Sequence, residues 1–311
     1  MLFKASAPGS LMLLGEYGVM HGKHALVCAV NKRMTVTIEP RSDTRIEIFS
    51  DRLGQFFTDL SNFYIEPPFQ FILATLKRYR LKLKKGCTIT IESEFSDKIG
   101  FGSSAAVTVA TLTALATWLE LSFTEKEFIS EARAIVRQVQ GLGSGADVAA
   151  CTLGGIVAYK MHPLLAEKLP AEHPLTAVYA GYKTGTVEAV KRVKTFFAFN
   201  PLLFKQICQA IDSCAVQGIR AVRAADWIDL GKMMNIQQGL MESLGVSTPL
   251  LSQIVTTLRK QSAVLGAKIS GSGFGDCLIG LGAAPKFKFA DKNVAVIPVE
   301  ITQQGVYCEK S

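Results

Sequence analysis

Lys98-Ile-Gly-Phe-Gly-Ser-Ser-Ala-Ala106 is the stretch on which the reading of this chain turns. Upstream, Thr88-Ile-Thr-Ile-Glu92 alternates β-branched and polar residues, which predicts a strand. Downstream, Ala105 to Leu119 is rich in Ala, Thr and Leu and free of Gly and Pro, which predicts a buried helix. A glycine-rich turn opening onto a helix suits an anion. Small residues let backbone N–H groups close on oxygen atoms, and the unpaired N–H groups and helix dipole favour negative charge. Ser103 and Ser104 add hydroxyls able to meet phosphate or Mg²⁺. The alternative is that Gly102-Ser103 only caps a core helix. Neither the Walker pattern nor the dinucleotide G-x-G-x-x-G is present, so a different nucleotide-binding architecture is indicated.

The rest of the chain frames that loop. About half of its 311 residues are apolar (49%), enough for a sizeable core in one large or two modest domains. The net charge of +8 comes from scattered Lys and Arg without aromatic interleaving, which suits a small anionic substrate and gives no nucleic-acid signature. The seven cysteines are dispersed without C-x-x-C pairs, as buried thiols in a reducing compartment would be. The four histidines lack metal-site spacing. No signal peptide is evident before Ala5, and no apolar run approaches the roughly 20 residues that span a bilayer. A cytoplasmic protein without membrane contact is expected.

In chain order, Phe3 to Ala7 predicts a short strand, Pro8-Gly9 a turn, and Ser10 to Leu14 an apolar run closed by Gly15-Glu16-Tyr17-Gly18. Met34 to Glu39 alternates as a strand, with Arg45 to Phe49 as its expected partner. Pro67-Pro68 precedes an amphipathic helix over about 69–83. Thr124-Glu-Lys-Glu127 is a capping box that starts a helix running to about Gln140. A second glycine-rich turn, Gly141 to Asp147, follows, then short strands at 156–160 and 177–180. Helices are predicted over 187–195, 201–224, 227–244 and 249–265, and strands over 267–270, 276–282 and 294–301. A third glycine run, Gly271-Ser-Gly-Phe-Gly275, sits between two closing strands. The pattern predicts an α+β fold of two lobes. Residues 1–183 form a strand-rich lobe and 184–311 a helix-rich lobe with a small antiparallel sheet, with the site in the cleft.

Asp147 is the candidate base, since a carboxylate can orient a substrate hydroxyl and take its proton during attack on phosphorus. The competing reading makes it the N-cap of a short helix beginning at Val148. Glu16 either meets substrate or Mg²⁺, or is a loop carboxylate bonded to nearby amides. The run from Gly271 either approaches a nucleotide or makes a tight turn.

Three segments in order resemble the motifs of the GHMP small-molecule kinases. They are Pro8-Gly-Ser-Leu-Met-Leu-Leu-Gly-Glu-Tyr-Gly-Val-Met-His-Gly22, Gly100 to Ala106, and Lys268-Ile-Ser-Gly-Ser-Gly-Phe-Gly-Asp-Cys277. Gly15 to Gly22, and Met234-Asn235 through Leu244-Gly-Val-Ser-Thr-Pro249 to Gly266–Ser270, are similar to the mevalonate kinase forms. Gly143 to Ala150 and Asp276-Cys277 look more like phosphomevalonate kinases. The resemblance implies a two-lobed GHMP kinase using ATP and Mg²⁺. Lys98, Gly100, Phe101, Gly102, Ser103, Ser104 and Ala105 would hold the ATP phosphates, with Ser104 on the metal and Gly271, Ser272 and Gly273 closing from the other lobe. Asp147 would be the base, and Glu16, Tyr17, Lys183, Thr184 and Thr186 would surround the acceptor.

Two positions depart from that pattern. Ser10 stands where the motif usually has Lys, leaving Lys4, Lys23 or Lys183 as substitutes, and Val136 stands where a Mg²⁺-binding Glu is usual. The expected activity is phosphorylation of the primary hydroxyl of mevalonate. Phosphomevalonate as acceptor, or a non-catalytic ligand sensor, are the rivals. Phosphomevalonate would need two or more cationic or N–H partners for its phosphate, and Lys183 is the one Lys in an acceptor motif. A homodimer is a possible assembly.

Overall fold

A computed structural model of the protein describes residues 1–96, 98–169, 172–283, 289 and 291–311. The N-terminal part runs β1 (Phe3–Leu14), β2 (His24–Pro40), β3 (Arg45–Ser50), β4 (Gly54–Asp59), α1 (Gln70–Arg78), β5 (Cys87–Ser93), α2 (Ser103–Trp118), α3 (Glu125–Gln140) and α4 (Ala146–Leu153). Three short strands follow, β6 (Ile156–Lys160), β7 (Leu165–Leu169) and β8 (Leu175–Tyr179). Helices α5 (Thr186–Phe196), α6 (Pro201–Arg223), α7 (Trp227–Ser243) and α8 (Pro249–Arg259) lead to β9 (Gly266–Ser270), β10 (Cys277–Leu281), β11 (Ala295–Ile297) and β12 (Tyr307–Lys310).

The larger sheet has the order β12-β1-β2-β5-β3-β4, with β6 also on β2 and β7 on β6; the smaller is β11-β8-β10-β9. The α+β expectation holds, with a large strand-rich sheet and a small antiparallel one. β8 precedes Lys183 yet lies in the smaller sheet, and the chain end returns to the larger one as β12. Helix α2 packs on β1 and β2 with α1, α3 and α4 against it, while α7 and α8 cover the smaller sheet. β1 is buried almost throughout, so it reads as an apolar run and shows no alternation. The capping box at Thr124 forms as expected. Thr124 Oγ1 accepts from the Glu127 N–H, and the Glu127 carboxylate accepts from the Thr124 N–H at 2.8 Å.

Several expectations are corrected. Pro8-Gly9 is no turn, because β1 passes straight through it. The pairing jumps there from Pro8↔Arg33 to Gly9↔Val30, a bulge that leaves Asn31 and Lys32 of β2 without partners on β1, next to a proline that has no N–H to donate. The segment 45–50 does not pair with 34–39. β5 lies between them, antiparallel to β2 and parallel to β3. Helix α8 stops at Arg259, whose guanidinium donates to the carbonyls of Asn235 and Ala267 and so ties the helix end to β9. β4, β7 and β12 carry no sequence signal strong enough to have been predicted, and all three lie at or near sheet margins.

Candidate active site

Between the two sheets lies a cavity of about 540 Å³. β1 contributes Ser10, the turn after it Glu16 and Tyr17, and the glycine loop Gly100 and residues Gly102 to Ala105. Asp147, Lys183, Thr186, Gly271, Ser272 and Asp276 add to the polar part of the wall.

The glycine loop takes its shape from two close approaches. Gly100 and Gly102 have φ of +79° and +63°, a region that side chains disfavour. A Cβ on Gly102 would lie 2.2 Å from Ser10 Oγ, and one on Gly100 would lie 2.2 Å from Asp276 Oδ1. The loop is therefore pressed between β1 and the second lobe. Helix α2 begins at Ser103 with Gly102 as its cap and no side chain on its first N–H groups, so those donors face the cavity mouth unspent by a cap. Phe101 is buried against Phe95, and its carbonyl accepts from the Ser10 N–H at 3.0 Å. It anchors the loop and does not line the cavity. Lys98 is exposed and also lies off the cavity wall.

Asp147 sits in the first turn of α4, whose N-cap is Gly145 at φ +92°, so the N-cap reading is replaced by a different geometry. Its side chain crosses to β1, where Ser10 Oγ donates to Oδ1 at 2.8 Å. The supporting loop is held by Tyr159, whose hydroxyl donates to the Ser144 carbonyl at 2.6 Å. Poor solvation raises the Asp147 carboxyl above the ordinary range, opposed by the Ser10 hydrogen bond and the charge of Lys183.

From the second lobe, Lys268 on β9 pairs with Glu16, and Gln237 of α7 donates to the same carboxylate. Burial holds the Glu16 carboxyl above its ordinary range and the Lys268 ammonium below, against their mutual attraction. Tyr17 donates to the Ser272 carbonyl at 2.6 Å, and burial raises its hydroxyl. Both first-motif side chains thus fasten the lobes at the cavity edge. Thr184 Oγ1 donates to the Phe274 carbonyl at 2.9 Å, and Gly273 packs against Val246, so neither lines the cavity. Lys183 and Thr186 do.

The three Lys candidates for the position held by Ser10 separate in space. Lys4 lies 3.9 Å from Glu92, and Lys23 is engaged by Gln209 and Asp212; of the three Lys candidates, Lys183 is the one on the cavity wall. Two functional candidates escaped the sequence reading. Arg133 of α3 lines the cavity, with Nε and Nη2 buried and unpartnered among the described residues. Its signal was its place one turn before Val136 on the same helix face. Asp276, 8% exposed, is pushed up to about 6 by burial, with Lys183 lowering it and Asp147 raising it. Its signal was an acidic residue closing a glycine run.

Residues 70–155 match the family model described as the GHMP kinases N terminal domain, and residues 219–292 that described as GHMP kinases C terminal. A mevalonate kinase of Archaeoglobus fulgidus is 32% identical over 98% of this chain and 99% of its own. The crystal structure of the Methanococcus jannaschii mevalonate kinase is similar with a TM-score of 0.75 and 25% identity, over 91% of this chain and 90% of that one. A Lin0012 protein from Listeria innocua shares the fold, with a TM-score of 0.86 at 22% identity over the full length of both. Matched in both halves by these domain models and along nearly its whole length by a relative of 32% identity, the chain belongs to the GHMP kinase family.

Proposed function

We propose that the protein transfers the γ-phosphoryl group of ATP to the primary hydroxyl of mevalonate. The observation that carries this reading is the Asp147 carboxylate, fixed by Ser10 at 2.8 Å in a cavity walled by the glycine loop at the α2 N-terminus. With Oδ1 engaged by Ser10, Oδ2 is the oxygen left for an alcohol. It orients the hydroxyl and takes its proton as the oxygen attacks phosphorus. The raised basicity of a poorly solvated carboxylate favours that transfer. The N–H groups of the glycine loop and of the α2 N-terminus would hold the phosphates.

The donor set fits Mg²⁺. Among the described residues no group of three or more His, Cys, Asp or Glu forms a protein cage. A nucleotide-borne Mg²⁺ needs only one or two protein ligands beside phosphate and water. Ser104, at the head of α2 on the cavity wall, would be the protein ligand. Bound there, the ion would neutralise phosphate charge as it develops.

The relatives named mevalonate kinase support mevalonate as acceptor. One observation favours the rival phosphomevalonate. Among the described residues the cavity wall carries two cations, Lys183 and Arg133, where the sequence offered one. Coupling ADP release to a spectroscopic assay with each acceptor tests the choice. A higher kcat/KM for mevalonate is expected; preference for phosphomevalonate overturns it, and turnover of neither leaves the sensor reading standing. No helix of the described residues is long and apolar enough to cross a membrane, and the seven cysteines are unpaired. These features accord with the proposed cytoplasmic setting. Exposed Phe196, Phe199 and Leu202 at the α5–α6 junction supply apolar surface for the proposed homodimer.

A further inference from the structure

We propose that Lys183 supplies the positive charge that meets the phosphoryl group in transfer, and that Asp276 is the residue that positions it. The inference rests on the kinase reading above and deepens it. A phosphoryl group passing from ATP to an alcohol spreads negative charge over its equatorial oxygens, and a fixed cation beside the base stabilises it. Ser10, beside Asp147, is neutral, and its hydroxyl is spent on the carboxylate. Of the two cations that the described residues put on the wall, Arg133 lies beneath Gly145, with Nε and Nη2 closed off. Lys183 is the cation felt by both acidic side chains, Asp147 and Asp276.

The backbone around Lys183 is built to hold it. Ala180 N donates to the Asp276 carbonyl at 2.9 Å, Asp276 N to the Tyr182 carbonyl at 2.7 Å, and Thr184 Oγ1 to the Phe274 carbonyl at 2.9 Å. Lys183 thus lies between two residues stapled to the turn that carries Asp276. A Cβ on Gly275 would lie 2.7 Å from the Tyr182 ring, so the two segments touch. The Asp276 carboxylate rests on Gly100 at the start of the glycine loop, and its Oδ1 has no hydrogen-bond partner among the described residues. A buried carboxylate without hydrogen bonds is costly unless a charge faces it. Lys183, on the same cavity wall and held by the backbone bonds of its two neighbours, supplies that charge.

The test compares Lys183→Met, Lys183→Arg, Asp276→Asn and the double variant Lys183→Met/Asp276→Asn. Asn adopts the left-handed backbone of Asp276, φ +73°, readily, and melting curves check that each variant folds. Turnover is measured with whichever acceptor the wild type phosphorylates, and calorimetry gives affinities for ADP and for the imido analogue of ATP. Lys183→Met is expected to lower kcat on the order of 10²–10³-fold. It should leave ADP affinity unchanged and reduce the preference for the imido analogue over ADP, with Lys183→Arg restoring part of both. Asp276→Asn should lower kcat, and the double variant should be no slower than Lys183→Met alone, because Asp276 acts through Lys183. A Lys183→Met kcat within about threefold of wild type overturns the proposal. Losses that multiply in the double variant also overturn it, since Asp276 would then act by itself, for instance on a metal ion. A wild type that turns over no acceptor sinks the kinase reading; the analogue preference then decides, and an unchanged preference in Lys183→Met overturns the inference.

Discussion

Lys268 and Glu16 form an ion pair across 252 residues of sequence with side chains 0% and 2% exposed, tying the smaller sheet to the turn after β1. Gln237 completes the cluster by donating to Glu16 while accepting from the Gly15 N–H at 3.1 Å.

Removing one partner of that pair strands the other. Lys268→Met should destabilise the protein by about 3–5 kcal/mol, because the Glu16 charge stays buried and loses its counter-ion. Glu16→Gln combined with Lys268→Met should recover much of the loss. Denaturant unfolding of the single and double variants is the measurement; a Lys268→Met midpoint equal to wild type would remove the pair from the account of stability.

Asp147→Asn keeps the shape and the Ser10 contact but cannot take a proton. Turnover should fall about 10²–10⁴-fold while ATP affinity is retained. Stability should move the other way. The Asp147 carboxyl is raised in the fold, so its contribution is fully present below the unfolded value and lost as pH rises through the folded one. At pH 7 the charged form is a penalty that Asn lacks, and the melting point of Asp147→Asn should equal or exceed wild type. An active Asn variant refutes the base; a markedly less stable one refutes the burial argument.

Ser10→Ala removes a hydrogen bond that favours ionised Asp147. The Asp147 carboxyl then rises further, and since activity needs it ionised, the acid limb of the kcat–pH profile should move to higher pH. An acid limb that stays put would mean that another group controls it.

Ser104→Ala should raise the Mg²⁺ concentration needed for half-maximal turnover and lower the plateau, as a metal ligand at the head of α2 is lost. Titrating Mg²⁺ at saturating ATP and acceptor reads this out. Unchanged dependence takes Ser104 off the metal.

Much of the fold was legible because local rules agree with it. The capping box at Thr124, Pro at the start of α6 and α8, and the alternation of Thr88 to Glu92 each act within a few residues. That the glycine loop and Asp147 would face one cavity was legible for a related reason. Residues that must bring backbone or a carboxylate close to a ligand sit in small-residue settings that a helix core does not require.

The remainder depended on distance in sequence. Pairing of β3 with β5 instead of β2 follows from strand order, which alternation along one strand does not encode. Pro8-Gly9 reads locally as a turn, but pairing on both sides of the bulge keeps β1 straight. Whether Glu16 met a ligand or a neighbour turned on Lys268 and Gln237, far along the chain, converging on one carboxylate. The same holds for Lys183, a loop cation in sequence, which reaches the cavity wall where the turn at Asp276 staples the backbone beside it. The sequence determined which local elements form and which small-residue turns line the cavity. Only the closing of the two sheets on each other decided which charges meet, because charge pairing depends on separations that the chain alone leaves open.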